Sequence, residues 1–359
     1  MNYPVLEIDT ELVYNNARIL RELCLARQIE PTAVIKGWNG IECITEAVLK
    51  AGYLRLASSR LAHLRQVKER CYAAETMALR LPMLSELPEL IAYADISLNS
   101  EYSTLKELNE EAGRQGKTHK VILMRDLGDL REGIWEGNEL YRLAEQVEHT
   151  MPHLRLQGIG VNLTCYGAVR PTTENLSELV ADAGEIERRL GRPLDMVSGG
   201  ATSTLPLLIK GGLPQGLNDL RIGEALIVPC DLQGYWGCDV PGLSNRTLLL
   251  RAQIIECGEK PTLPKGQSGH SIFSNKFKDR GRRRRALLAL GLFDVGDFQV
   301  LQPLDPDIEI LGGSSDHLII DIHESRKEYR LGDIVDFELH YKAMVFTTAN
   351  PLVKKVRVK

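Results

Sequence analysis

Short apolar runs alternate with amphipathic segments from Pro31 onward, and this alternation limits the possible folds more than any other feature of the chain. Strands that alternate with helices pair in parallel through right-handed crossovers. One helical pattern is I-E-C-I-T-E-A-V-L-K-A-G, in which Gly52 stands where a helix C-cap is expected. The apolar runs are Ala33–Ile35, Leu54–Ala57, Met77–Leu81, Ile96–Leu98, Val121–Met124, Leu156–Val161, Met196–Val197 and Leu220–Leu226.

The runs number eight, which is the number of strands in a (β/α)8 barrel. We therefore predict an α/β fold in which a (β/α)8 barrel, the TIM-barrel architecture, covers residues 10–244. A doubly wound open sheet is the alternative. It ranks second because the glycine fingerprint expected after its first strand is missing.

The pattern changes after Asn245, where short β-rich runs are separated by Gly, Pro, Asp and Ser. Because no convincing amphipathic helix is found among them, we predict an all-β domain over residues 245–359. The opening strand, Tyr3–Ile8, precedes the first helix and is a candidate to pair into the same domain.

Composition excludes several classes of protein. A net charge of −4 creates no field that favours nucleic acid, and we interpret the basic run Arg282–Arg285 as a solvated loop before an apolar strand. No apolar run is long enough to span a membrane, and the N-terminal residues do not resemble a signal peptide. The seven cysteines form no CxxC pair, so we predict no metal site, reduced thiols and a cytoplasmic location.

In a (β/α)8 barrel the active site forms at the carboxyl ends of the strands, so polar residues at strand ends are the candidates. The first strand ends in A-V-I-K-G, which places Lys36 at this face. A lysine at a strand end can also simply mark where the chain leaves the core. The next candidates are Arg125, Asp126 and Arg131 after the fifth strand and Asn162, Cys165 and Tyr166 after the sixth.

Two loops near the end of the barrel indicate a phosphate site. V-S-G-G-A-T-S-T after the seventh strand is rich in small residues, whose backbone N–H groups can bind an anion before the next helix. The loop after the eighth strand, in L-R-I-G-E-A-L, is where such barrels often complete a phosphate site. Small residues also fill any tight turn, so the position of the loops carries the argument. A phosphate site opposite Lys36 suits pyridoxal 5′-phosphate (PLP), whose aldehyde forms a Schiff base with a lysine amine.

These motifs, taken together and in order, resemble the alanine racemase family of fold-type III PLP enzymes. The resemblance covers nearly the whole chain, and the tail is most similar to the ornithine-racemase-type branch. It implies a PLP-binding barrel with a C-terminal β domain, and a homodimer whose two chains share each active site. The motifs are A-V-I-K-G, D-L-G-D-L-R-E-G, G-I-G-V-N-L, L-R-I-G-E, A-L-L-A-L-G-L-F-D and I-L-G-G-S-S-D-H-L-I-I-D.

The resemblance also implies roles for individual residues. Lys36 would bind PLP and act as one acid/base at Cα, Arg221 would donate to the pyridine nitrogen, and Arg131 would bind the substrate carboxylate. Asn162 stands where the family often has a histidine near the ring. The remaining cofactor-binding candidates, mostly at the phosphate, are Ser198, Gly200, Ala201, Thr202, Gly223, Glu224 and Tyr341.

Simpler interpretations compete with these roles. Arg221 could form an ion pair at the barrel rim, and Arg131 could form a surface salt bridge with Asp129 or Glu132. Asn162 could satisfy backbone groups at the strand end. Tyr341, which we expect on a strand, could pack against neighbouring side chains without contacting a cofactor.

Three positions depart from the family pattern: Gly40 and Met124 replace a tyrosine and a lysine, and Leu292 in G-L-F-D replaces the tyrosine that serves as the second base. Racemisation needs proton transfer on both faces of the substrate carbanion. The candidates for the second acid/base are Asp316 and His317, which the family places at the partner's site, with Ser315 beside them as a substrate contact. Cys165 and Tyr166 are further options.

The favoured function is a PLP-dependent racemase that interconverts L- and D-amino acids, with a basic amino acid such as ornithine as the small-molecule substrate. A fold-type III PLP lyase, aldolase or decarboxylase is the first alternative. A PLP-binding protein without catalytic activity is the second. If Lys36 holds no cofactor, the remaining alternative is a barrel enzyme that acts on a sugar phosphate.

Overall fold

A computed structural model describes residues 2–266 and 277–358. Its central element is a closed barrel of parallel strands, which confirms the fold class predicted from the alternation. The barrel strands are β2 (Thr32–Val34), β3 (Arg55–Ser58), β4 (Glu75–Ala78), β5 (Ile96–Asn99), β6 (His119–Arg125), β7 (Leu154–Val161), β8 (Met196–Ala201) and β9 (Asp219–Ile222).

Helices follow the barrel strands and cover the outside of the barrel. Gly52 follows α2 with φ = +95°, as expected for a glycine that ends a helix. The helices of this part of the chain are α1 (Thr10–Leu25), α2 (Glu42–Lys50), α3 (Leu61–Glu69), α4 (Leu87–Tyr93), α5 (Tyr102–Arg114), α6 (Gly137–Thr150), α7 (Thr173–Leu190), α8 (Leu205–Ile209), α9 (Glu224–Ile227) and α10 (Cys230–Gly234).

Apolar side chains fill the inside of the barrel and leave its carboxyl-terminal face open for polar residues. Met124, which stands where the family often has a lysine, is fully buried in this interior cluster. The barrel closes between β2 and β9, where Thr32 pairs with Arg221. This register brings the turn that carries Lys36 next to the strand that carries Arg221.

The second part of the structure is an antiparallel sheet. The opening strand β1 (Val5–Ile8) lies in this sheet, antiparallel to β10 and parallel to β16. The other strands are β10 (Leu248–Pro261), β11 (Arg282–Leu288), β12 (Leu301–Pro303), β13 (Glu309–Gly313), β14 (Leu318–Asp321), β15 (Ile334–Leu339) and β16 (Lys354–Arg357).

Two sequence interpretations of this region are wrong. The basic run Arg282–Arg285 is the first half of β11 rather than a loop. Tyr341 does not continue a strand, because β15 ends at Leu339 and a helix begins at Tyr341. The helices of this domain are α11 (Leu292–Val295) and α12 (Tyr341–Ala349).

Within the described segments, no helix combines the length and apolar character that crossing a membrane requires. The seven cysteines all lie in these segments and are free thiols.

Candidate active site

A cavity of about 680 Å³ opens at the carboxyl ends of the barrel strands. Residues from strands β2, β5, β8 and β9, from the turn after β2, from the loops after β3, β4, β6, β7, β8 and β9, and from the start of α12 form its wall. The fold thus brings together residues that are far apart in sequence, such as Lys36 and Tyr341, which are separated by 305 positions. The predicted site residues that line the cavity are Lys36, Arg131, Asn162, Cys165, Ala201, Thr202, Arg221, Gly223, Glu224 and Tyr341.

Lys36 lies on a 3-10 turn, Ile35–Trp38, rather than at the end of a strand, because β2 ends at Val34. Its side chain is reachable by solvent through the open cavity, although protein atoms surround most of it. This partial burial lowers the pKa of the Lys36 amine, and the nearby guanidinium of Arg131 lowers it further. The arrangement therefore favours the neutral, nucleophilic amine.

Gly37, the next residue, allows the β domain to approach the lysine turn. A Cβ atom at Gly37 would lie 2.9 Å from Cε of Met344 and 3.4 Å from Cε2 of Tyr341. Both neighbours belong to α12, so the absence of a side chain at Gly37 lets this helix pack on the turn. The packing also places the Tyr341 ring in the cavity wall.

Arg221 is 4 % exposed, and its charge is held by a chain of polar contacts in the barrel. Its Nη2 donates to the carbonyl oxygen of Val161 at 2.6 Å, and its Nη1 donates to the Ser198 hydroxyl. Ser198 in turn donates to Asp219, which also accepts from Arg55 at 2.9 Å. Burial lowers the pKa of Arg221, and the charge of Asp219 opposes that effect.

Two of the predicted cofactor-binding residues, Ser198 and Gly200, are not among the residues that line the cavity. Ser198 is fully buried below the cavity, where it supports Arg221. Gly200 adopts φ = +105°, and a Cβ atom there would lie 2.9 Å from the Thr204 hydroxyl oxygen. These two residues support the cavity wall without forming part of its surface.

The loops after β8 and β9 are joined to each other on one side of the cavity. The hydroxyl oxygen of Thr202 accepts a hydrogen bond of 3.3 Å from the backbone N–H of Gly223. A Cβ atom at Gly223 would lie 3.2 Å from the carbonyl oxygen of Val34, so glycine allows this loop to lie against β2. The helices that follow are short: α8 has five residues and α9 has four.

Arg131 forms a double hydrogen bond with the carboxylate of its neighbour Glu132, as the salt-bridge interpretation anticipated for this pair. Asp129, the other anticipated partner, has a different role that sequence reasoning missed. Its buried carboxylate accepts from the backbone N–H groups of Cys165 at 3.2 Å and Tyr166 at 2.9 Å. Asp129 therefore shapes the loop after β7. The sequence feature that could have drawn attention to this carboxylate is its position in D-L-G-D-L-R, close to Arg131.

Two polar atoms in the cavity wall are buried without a hydrogen-bond partner in the described part of the chain. They are Nδ2 of Asn162, a donor, and Oε1 of Glu224. Such a group costs about 1–3 kcal/mol when it is left unsatisfied, so a polar molecule bound in the cavity would relieve a real penalty. Burial and a hydrogen bond to Asp231 raise the pKa of Glu224 to about 9.

Ser315, Asp316 and His317 lie on the loop between β13 and β14 and are not among the residues that line this cavity. The loop packs on the turn that contains Leu292: the N–H of Leu292 donates to Ser314 and that of Phe293 donates to Ser315, both at 3.1 Å. Asp316 and His317 are exposed. The turn and the loop therefore form one continuous outer surface of the β domain.

Comparisons with known proteins agree with this architecture. The family described as "Alanine racemase, N-terminal domain" matches residues 8–229. The chain is 39% identical to an ornithine racemase from Acetoanaerobium sticklandii over 98% of this chain and 99% of the relative. It is 35% identical to a lysine racemase from Thermotoga maritima over 99% of both chains.

A solved structure shares the fold at lower identity. The alanine racemase from Streptomyces lavendulae superposes with a TM-score of 0.75 at 16% identity, covering 100% of this chain and 98% of that one. The match to the family and the two full-length relatives lead to one conclusion. The chain belongs to the alanine racemase family.

Proposed function

We propose that this protein is a PLP-dependent racemase of basic amino acids, which removes the Cα proton of one enantiomer and returns a proton to the opposite face. The observation that carries the proposal is the pairing, in one cavity, of a lysine with a lowered pKa and a fully enclosed arginine. The names of the two full-length relatives, ornithine racemase and lysine racemase, support the reaction and the substrate class.

The residues present fit PLP. Lys36 would hold the cofactor covalently, Arg221 would meet the ring nitrogen, and the loops after β8 and β9 with Tyr341 would meet the phosphate. The side-chain N–H of Asn162, which has no partner among residues 2–266 and 277–358, supplies a donor for the cofactor. When bound, PLP supplies an electron-withdrawing ring that stabilises negative charge at Cα.

Lys36 and Arg221 then have distinct duties. A neutral Lys36 amine can accept the Cα proton on its side of the substrate and return it. Arg221 remains protonated at all relevant pH values, so it donates a hydrogen bond and does not shuttle protons. The Ser198 and Asp219 contacts keep its guanidinium in one orientation.

One carboxylate in the cavity wall, that of Glu132, can accept a cationic substrate side chain. Arg131 can bind the substrate carboxylate through two parallel hydrogen bonds. Its present partner Glu132, whose side chain is 13% exposed, would then be free to accept from a side-chain ammonium group. The methylene groups of such a side chain would pack on the apolar part of the wall, formed by Leu79, Leu81 and Leu98.

We assign the second acid/base to the exposed Asp316 and His317 of a partner subunit, with Ser315 as a substrate contact. The support is that Leu292 cannot transfer a proton, while an imidazole such as that of His317 can both accept and donate one. Large apolar side chains are exposed both at the cavity rim, where Tyr166 is 74% exposed, and on the β domain, where Phe293 is 74% exposed. Exposed apolar patches mark contact surfaces, which supports a homodimer.

The seven free cysteines support a reducing, cytoplasmic location for this enzyme.

The test compares the purified protein with Lys36→Ala and with Lys106→Ala, a control on the exposed face of α5. We expect the wild type and the control to show an absorbance band from bound PLP at the edge of the visible range. Lys36→Ala should lack this band. L-ornithine and L-lysine should convert to their D-enantiomers without release of carbonyl compound, amine or CO2. Release of such products would favour a lyase, and an absence of Cα deuterium exchange in D2O would favour a non-catalytic protein.

A further inference from the structure

Three side chains outside the cavity wall bring a sulfur, a nitrogen and an oxygen atom together. Sγ of Cys230 lies 3.5 Å from Nδ1 of His340 and 3.9 Å from Oδ1 of Asp231. The same His340 nitrogen lies 4.0 Å from the Asp231 oxygen. In the part of the chain that the structure describes, this is the one group of His, Cys, Asp and Glu ligand atoms with the compactness that a metal ion requires.

The group bridges the two parts of the fold. Cys230 and Asp231 begin α10, shortly after the last barrel strand. His340 directly precedes α12, the helix whose first residue, Tyr341, lines the cavity. The side chains of Asp231 and His340 are 46% and 45% exposed, so an ion can reach the group from solvent.

We propose that Cys230, Asp231 and His340 bind a zinc ion that links the barrel to the β domain. Tetrahedral zinc with bonds of about 2.0–2.3 Å to N, O and S separates neighbouring ligand atoms by about 3.4–3.6 Å. The observed separations of 3.5, 3.9 and 4.0 Å reach this range with shifts of a few tenths of an ångström. A combination of thiolate, imidazole and carboxylate is the donor set that zinc accepts and magnesium or calcium does not.

A second observation points to the same place. The Glu224 side chain hydrogen-bonds Asp231, and among the described residues its Oε1 is buried without a partner. An unpartnered buried carboxyl oxygen beside a proposed ligand is a position that a bound ion or its water would satisfy. Glu224 is thus a positioning residue for the Asp231 ligand, and a water molecule takes the fourth zinc position on the solvent side.

The proposed ion has a consequence for the cavity. Since His340 and Tyr341 are adjacent, a metal bond to His340 fixes the start of α12 against the loop after β9. The ion therefore holds the Tyr341 and Glu224 sides of the cavity together without touching the reacting atoms.

The test uses the full-length protein, stripped with a chelator and then dialysed against Zn²⁺ or Co²⁺. We expect about one equivalent of retained metal, a thiolate-to-cobalt absorption band in the near ultraviolet, and a higher Tm with zinc than without. Cys230→Ser and His340→Gln should lose the band and bind at least about ten-fold more weakly. The matched controls are Cys71→Ser and His323→Gln, which change exposed residues of the same types outside the group.

Substoichiometric binding by the wild type, or equal binding by both site variants and the wild type, would overturn the proposal. Equal loss in the controls would overturn it as well. Far-UV circular dichroism establishes that each variant is folded. His340 is half-exposed, so His340→Gln carries the test if Cys230→Ser does not fold.

Discussion

The hydroxyl of Thr348 donates a hydrogen bond of 3.2 Å to the carbonyl oxygen of Gly37, which directly follows Lys36. Thr348 belongs to α12 of the β domain, and Gly37 belongs to the 3-10 turn of the barrel. The bond is buried, with Thr348 2% exposed. The position of the candidate catalytic lysine therefore depends on the packing of the β domain as well as on the barrel.

A larger residue at Gly37 should separate these two elements. Gly37→Val places branched methyl groups where Met344 and the Tyr341 ring now pack, so we expect a loss of about 1–3 kcal/mol in unfolding free energy. Racemase activity should fall with it, because the lysine turn shifts. Denaturant unfolding and initial rates measure the two effects.

Gly184→Ala is the control for that substitution. Gly184 lies within α7, and a Cβ atom there would meet nothing within 4 Å. Alanine in a helix interior should raise stability by about 0.5–1 kcal/mol and leave activity unchanged. Full stability and activity in Gly37→Val would show that the contact with α12 is dispensable.

Asp219 holds one buried cation, Arg221, and one partly buried cation, Arg55, in the barrel. It accepts from Arg55 at 2.9 Å, and it reaches Arg221 through Ser198. Asp219→Asn removes the anion that offsets the charge of Arg221, whereas Arg55 keeps its ion pair with Glu75, so we expect a loss of about 3–5 kcal/mol in unfolding free energy from the uncompensated Arg221.

Asp195→Asn provides the comparison, since it breaks an ion pair with Arg155 whose side chains are 39% and 55% exposed. Exposed pairs contribute about 0–1 kcal/mol, so thermal unfolding of this variant should be close to that of the wild type. Similar effects at the two positions would argue against the role assigned to Asp219.

Glu132 should determine selectivity for a cationic substrate side chain. Replacing its carboxylate in Glu132→Gln should lower kcat/KM for L-lysine and L-ornithine by about ten- to a hundred-fold, the value of a hydrogen bond to a charged group. L-norleucine, which lacks the ammonium group, should be affected much less.

The exposed Glu136 offers a nearby control, Glu136→Gln, for which both substrates should react normally. If Glu132→Gln slows charged and uncharged substrates equally, Glu132 serves Arg131 rather than the substrate.

His317 and Asp316 should act on one face of the substrate only. With His317→Gln or Asp316→Asn, we expect racemisation to fall by about 10²–10⁴-fold for the residue that transfers the proton. Cα deuterium exchange of one enantiomer through Lys36 should continue. Chiral chromatography combined with mass spectrometry separates inversion from exchange.

His323→Gln, an exposed histidine of the same domain, is the matched control for this experiment. If both loop variants invert the substrate at the wild-type rate, the second acid/base does not lie on this loop. Cys165, which lines the cavity of the same chain, is then the next candidate.

His119 should make the fold sensitive to acid. Its ring is 3% exposed and hydrogen-bonds the Ser97 hydroxyl at 2.9 Å, and burial lowers its pKa from 6.5 to about 4. Between these pH values the unfolded chain binds a proton that folded His119 does not. Stability therefore falls as pH decreases through this window, by about 3 kcal/mol in total.

Urea unfolding of the wild type and His119→Gln at intervals from pH 7 to pH 4 tests this directly. The variant is expected to be less stable at pH 7, because it loses the Ser97 contact, but to have a shallower decline. Parallel curves for the two proteins would exclude His119 as the source.

The alternation of runs predicted the barrel because the short apolar runs had to be buried on both faces and the helical patterns on one. Lys36 was predicted because it directly follows the first run, although the structure places it on a turn just after the strand. Helix α12 was not predicted because its sequence, Y-K-A-M-V-F-T-T-A, is apolar on most sides, and periodicity does not distinguish such a segment from a buried strand.

Other features depend on contacts between distant segments. Ser198 looks like a loop residue in V-S-G-G-A-T, and its support of Arg221 arises only when β8 and β9 pair. Cys230 and His340 are 110 residues apart and form no recognisable spacing. Their proximity follows from how the β domain lies on the barrel, which no local pattern encodes.

Strand β1 lies between β10 and β16, so segments from both ends of the described chain are neighbours in one sheet. The barrel is thus an insertion within the β domain rather than a unit joined to it by a single linker. A fragment beginning near Asn245 would lack the strand that β10 and β16 share and would expose two unpaired edges. Such a fragment should aggregate when expressed alone and become soluble when a peptide that contains residues 2–9 is supplied in trans.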